Sequence, residues 1–131
     1  MLSAAQIAGY HRNGFIVLPG FKRAAEIAAL RQRALQIVDA FEPSELRSVF
    51  TTHDLARTSN AEFLASADRV HCFFEEEAFD AQGQLRQAKA LSINKIGHAM
   101  HELDPVFERF SHGPELAALA QGLGLREAQL W

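Results

Sequence analysis

Apolar positions along this chain recur mostly at helical spacing, broken by a few short apolar runs. From residue 22 to 41, Ile27, Leu30, Ala34, Ile37, Val38 and Phe41 fall on one stripe, with Glu26, Arg31, Gln32, Arg33, Gln36 and Asp39 off it. That pattern predicts an amphipathic helix. Its start has Lys22-Arg23 where a Ser, Thr or Asp cap is expected. An earlier helix opens at Ser3, with Gln6 three residues on as a capping box, and stops at Asn13-Gly14. Phe15-Ile16-Val17-Leu18 is apolar and partly β-branched and reads as a strand ended by Pro19-Gly20.

The middle is less regular. Pro43-Ser44 is expected to start a short helix through Val49, followed by loop, and Asn60 to cap two helical turns over residues 61–67. Residues 70–74 are a strand candidate closed by Glu75-Glu76-Glu77. Asp80-Ala81-Gln82-Gly83-Gln84 is a turn, and residues 90–94 are a second extended segment, which together predict a loose hairpin. From Lys95 onward, Ile96, Met100, Leu103 and Phe107 recur at helical spacing. Pro105 divides that stretch into two short helices, because proline lacks the N–H and clashes with the preceding turn. Gly113-Pro114 breaks it again, residues 115–121 are helical, and residues 126–131 look like the start of another strand. No run of alternating strands is long enough for a complete barrel or jelly roll.

With 131 residues, 48% hydrophobic and 22% charged, the composition is that of a single globular domain or part of one, not of a disordered chain. A net charge of −3, with the basic residues scattered, gives no footprint for nucleic acid. Arg31, Arg33, Arg47, Arg57, Arg69 and Arg86 read as solvated surface charge. The one cysteine, Cys72, sits in an apolar run between His71 and Phe73 and reads as a buried structural thiol. With no internal disulfide, no signal pattern and no apolar stretch of membrane length, the expectation is a cytoplasmic protein without a membrane partner.

Most of the polar clusters carry no chemistry. His98, His101 and Asp104 are spaced i, i+3, i+6. On a helix the two histidines stand about 60° apart and the carboxylate about 120° from His98, so Asp104 points away from any shared ion. Three consecutive glutamates splay apart on a strand end. Gly122-Leu123-Gly124 lacks the third glycine and the preceding strand of a dinucleotide fingerprint. His71 and Cys72 point to opposite sides if extended.

One segment is more specific. Residues 91–107 read LSINKIGHAMHELDPVF, preceded by Phe73-Phe74-Glu75-Glu76-Glu77 and by the turn at Asp80. Together with Asn13-Gly14-Phe15-Ile16-Val17-Leu18-Pro19-Gly20-Phe21, this resembles the front part of the phytanoyl-CoA dioxygenase family, in particular its domain-containing branch. The similarity runs from about residue 10 to 124 and is weakest over 43–66. Residues 13–21 are moderately specific. Phe-Phe-Glu, Phe-Asp-x-x-Gly, Ser-Ile-Asn-Lys-Ile-Gly-His-Ala and Asp-Pro-Val-Phe, in that order, are far more so. The uncapped Lys22-Arg23 departs from the family's usual pattern.

The resemblance implies an α+β, mostly helical segment: the N-terminal portion of a double-stranded β-helix (jelly-roll, cupin-like) oxygenase whose barrel is incomplete here. Residues 1–131 are then expected to be the N-terminal part of a single domain that continues past Trp131. The implied reaction uses Fe(II) and 2-oxoglutarate to hydroxylate a small organic substrate. It also implies that Lys95, in Ser-Ile-Asn-Lys-Ile-Gly, contacts 2-oxoglutarate: a long cation suits a dianion while its stem packs on apolar neighbours. Such iron sites need two histidines and a carboxylate on one face of the metal, supplied in the family as His-x-Asp (or Glu) and a later His. Two residues after His11, His53, His71, His98, His101 and His112 stand Asn13, Leu55, Phe73, Met100, Leu103 and Pro114. No residue is therefore expected to ligate iron, and the isolated chain is expected to be inactive. The alternative is a non-catalytic helical binding or regulatory module derived from that family. Unpaired strand edges would favour self-association of the chain.

Overall fold

The computed structural model describes residues 2–42, 49 and 64–130. In chain order the elements are α1 (Ala4–Asn13), α2 (Ala24–Ala40), β1 (His71–Phe74), the single turn α3 (Lys89–Ser92), β2 (Ile93–Gly97), α4 (Met100–Leu103), α5 (Pro105–Ser111) and α6 (Pro114–Gly122). The expected helix through Val49 and the loop after it lie outside the described residues, apart from Val49 itself. So do residues 61–63 of the two helical turns expected over 61–67, of which Leu64 and Ala65 are helical and residues 66–67 form a turn.

Helix starts follow local chemistry. Ser3 Oγ accepts from the Gln6 amide at 3.2 Å while Gln6 Oε1 accepts from the Ser3 amide at 2.8 Å, the capping box that the sequence predicts. Gly14 closes α1 in left-handed backbone at φ 78°. The missing cap of α2 is replaced from within: Glu26 Oε2 accepts from the Arg23 amide at 3.1 Å and from Arg23 Nε at 2.9 Å. At its other end, Lys89 Nζ donates to the carbonyls of Asp39 and Phe41 at 2.8 and 2.9 Å. These are carbonyls that a helix end leaves without an internal partner.

β1 and β2 pair antiparallel, His71 with Gly97, Cys72 with Ile96, Phe73 with Lys95, and Phe74 with Ile93. The register slips between Phe73 and Phe74. Asn94 has no place in the ladder and turns to solvent, where its amide donates to Glu75 Oε2 at 2.8 Å. Cys72, Phe73 and Phe74 are fully buried. Phe74 stacks on Phe79 and Phe41, at 4.8 and 5.8 Å between ring centres. α2 packs across β2, α3 and α5, so the hairpin is the centre on which the longest helix rests.

Four sequence expectations are corrected. Residues 15–18 belong to no strand, with Phe15 and Val17 well exposed. The second hairpin strand is three residues later than the 90–94 reading: Lys89–Ser92 form a helical turn and the strand is Ile93–Gly97. Apolar spacing at Ile93 and Ile96 suits a helix and a strand bulged at Asn94 alike. Lys95 is consequently inside a strand, and helix resumes only at Met100. Residues 126–130 form no strand. The division at Pro105 is as predicted, with Asp104 capping α5 through bonds accepted from the Val106 and Phe107 amides at 3.0 and 3.3 Å.

Candidate functional site

Period two along β2 puts Lys95 and Gly97 on one side of the strand. The Lys95 stem lies along that side over Gly97: a methyl group added at Gly97 would meet Lys95 Cε at 3.0 Å and Nζ at 3.7 Å. The ammonium sits 5.9 Å from the centre of the buried Phe73 ring, its partner across the hairpin. It also lies 3.3 Å from His98 Nε2. The other ring nitrogen of His98, Nδ1, is 3.2 Å from the Ser66 carbonyl and 3.3 Å from Ser66 Oγ. The His98 ring meets Phe73 edge-on at 5.6 Å. Lys95 is thus a half-buried cation held on an aromatic floor, a setting that strengthens its pairing with an anion relative to open water.

The other candidates are used elsewhere. His98 is not on a helix with His101, so the i, i+3 geometry does not arise. His101 lies against His112, with ring centres 6.3 Å apart, and Glu102 Oε1 is 3.2 Å from His112 Nε2. Asp104 takes Arg33 Nε at 2.6 Å, which corrects the reading of Arg33 as solvated surface charge. Burial raises the Asp104 carboxyl, but the Arg33 bond and the two helix amides outweigh it and hold the group below the usual carboxylate range. Burial pushes the Cys72 thiol up, with Lys89 pulling weakly against it, so this is an inert buried thiol. Glu75 and its two acidic neighbours are exposed.

Among the described residues no group of three or more His, Cys, Asp or Glu side chains is arranged to hold a metal ion. The described residues therefore do not fit an iron centre, and no chemistry through iron is derived for this chain. A cavity of about 500 Å³ lies between α6 and residues 128–130, with Glu102 and His112 on its rim. It is lined by other residues than Lys95. Among the described residues no helix is long and apolar enough to cross a membrane.

A sequence profile described as phytanoyl-CoA dioxygenase (PhyH) matches residues 10–129. The chain belongs to the PhyH family. It is 44% identical over 122 residues to phytanoyl-CoA dioxygenase 1 of Oryza sativa subsp. japonica, covering 93% of this chain and 43% of that protein. Against phytanoyl-CoA dioxygenase of Arabidopsis thaliana the identity is 39% over 125 residues, 95% of this chain and 44% of the relative. Against phytanoyl-CoA dioxygenase domain-containing protein 1 of Bos taurus it is 40% over 130 residues, 95% and 45%. The chain therefore spans less than half the length of these relatives.

Sequence reasoning singled out Lys95 but missed His98, Ser66 and Gly97 as its surroundings. The signal was present in Lys95-x-Gly97: two same-side positions of a strand, one long and one without a side chain. It is legible only once the strand is placed at Ile93–Gly97.

Proposed function

We propose that this PhyH-family chain is the N-terminal part of one Fe(II)/2-oxoglutarate-dependent oxygenase domain. Its helices and hairpin would buttress a double-stranded β-helix, and Lys95 would pair with a carboxylate of 2-oxoglutarate. The observation that carries this reading is Lys95 itself. It is the lysine of the family-like Ser-Ile-Asn-Lys-Ile-Gly stretch, and it lies half-buried on Phe73 with its stem over a glycine. In such reactions O2 is the oxidant and iron(II) would activate it: one oxygen atom would go to a substrate C–H bond and the other to succinate, as 2-oxoglutarate gives up two electrons and loses carbon dioxide. The part assigned to this chain is binding and orientation of the dianion by a fixed cation. The iron ligands are assigned to no residue of these 131. The partner is a small organic substrate, in a cytoplasmic setting that suits the single buried thiol, with no role for nucleic acid or membrane. The chain as given would not turn over 2-oxoglutarate by itself.

The test is direct. With labelled chain, added 2-oxoglutarate should shift the Lys95 side-chain resonances saturably, and Lys95→Ala should weaken binding at least tenfold, as loss of a charge-assisted bond does. Lys95→Arg should bind in between, since its planar fork needs room that an ammonium does not. Binding unaffected by Lys95→Ala would overturn the assignment. Chelator-sensitive succinate formation by the 131-residue chain would overturn its inactivity.

A further inference from the structure

The polar groups around Lys95 have a fixed order. An ammonium has donors only, so its contact with His98 Nε2 at 3.3 Å requires an unprotonated, accepting Nε2. A neutral imidazole with Nε2 bare carries its hydrogen on Nδ1. At Nδ1, 3.2 Å away, is the Ser66 carbonyl, which only accepts. Both ends of the ring thus fit the same tautomer, and the Ser66 hydroxyl, 3.3 Å from Nδ1, can accept from it as well. Ser66 is fully buried, so the carbonyl that holds the ring is itself fixed. On the other side, the missing side chain of Gly97 leaves room for the lysine stem, whose Cε would stand 3.0 Å from a Cβ placed there.

We propose that His98 and Gly97 are positioning residues for Lys95. His98, as its Nδ1–H tautomer donating to the Ser66 carbonyl, accepts from the ammonium through Nε2. Gly97 keeps the path of the stem clear, so that the cation is aimed before any anion arrives. This rests on the reading of Lys95 as the 2-oxoglutarate contact and names what sets its geometry. A cation already held in one rotamer loses less entropy on binding than one that must be ordered by the ligand.

The experiment is nuclear magnetic resonance on the labelled 131-residue chain, with 2-oxoglutarate as the probe. The nitrogen-15 shifts of His98 should report hydrogen on Nδ1. His98→Leu, which offers no acceptor, should alter the Lys95 ammonium resonance and weaken 2-oxoglutarate about tenfold. His98→Gln, with an amide oxygen able to reach the Nε2 position, should stay within about threefold of the parent. Gly97→Ala should displace the Lys95 Cε signal and weaken the probe while leaving amide signals of α2 and α6 in place. It serves as the deciding variant should His98→Leu not fold. Hydrogen found on Nε2, or a Lys95 signal and an affinity indifferent to both positions, would overturn the proposal. If the probe never perturbs Lys95 in the parent chain, the 2-oxoglutarate reading fails. The His98 tautomer and the response of the Lys95 signal to His98→Leu still decide the positioning role.

Discussion

Asp104 does three jobs with one carboxylate. Oδ1 accepts from the first two amides of α5, and Oδ2 takes the Arg33 guanidinium from α2. The side chain is 3% exposed and Arg33 36%, so the pair is desolvated on one side only and is worth less than a fully buried one. Asp104→Ala should lower stability by about 2 kcal/mol, roughly half from the lost cap and half from the lost pair, read as a lower denaturant midpoint at unchanged slope. Because the folded-state carboxyl is held below its ordinary value, the unfolded chain binds the proton first. The contribution is complete above about pH 4 and disappears as pH falls below that through the folded value. Asp104→Asn should flatten that acid limb, and an unchanged limb would show that other carboxylates govern acid unfolding. At this scale the sequence was informative where one residue's chemistry sufficed: a Ser-x-x-Gln cap, an Asp-Pro helix start, a buried cysteine. It was silent where the partner lies 71 residues away, as Arg33 does from Asp104.

The hairpin and the short helices after it show why element type was easier to read than element position. β1 was legible because its short apolar and aromatic run is closed at once by three glutamates and the turn at Asp80. β2 was placed early because a bulge at Asn94 breaks the two-residue alternation on which strand reading depends. The turn that follows is costly: Ala99 has φ 52° and ψ 31°, left-handed backbone for a residue with a Cβ. Left-handed backbone costs an L-residue about 1–2 kcal/mol. Glycine there escapes that cost but gives up somewhat under 1 kcal/mol through its freer unfolded chain. Ala99→Gly should therefore stabilise the protein by about 0.5 kcal/mol, a small rise in the thermal midpoint measured by calorimetry. A loss of stability would mean that the methyl group packs usefully in the turn.

At the scale of the whole chain, the two ends of the sequence are joined by a lysine that surface-charge reasoning would leave in solvent. Lys22, 8% exposed, pairs with Glu26 at 3.8 Å and with Glu115 of α6, and its ammonium lies 4.4 Å from the centre of the Phe110 ring of α5. Leu2 approaches Gly122 on the same side of the molecule. Closing a loop of some ninety residues costs only a few RT more than closing a short one, so a modest set of contacts is enough to hold it, and removing them should free that junction before the core. Lys22→Met keeps the length of the side chain and its packing on Phe110 but removes the charge. We expect the ring interaction and the long 3.5 Å bond to the Phe110 carbonyl to be lost for about 1 kcal/mol, with the solvent-facing Glu115 adding little. Amide exchange separates this from a uniform loss of stability. Protection in α1 and α6 should fall while that of β1 and β2 is retained, because the hairpin's burial depends on α2 and its own aromatic rings. Equal loss in the hairpin would mean that the lysine anchors the core as well as the ends.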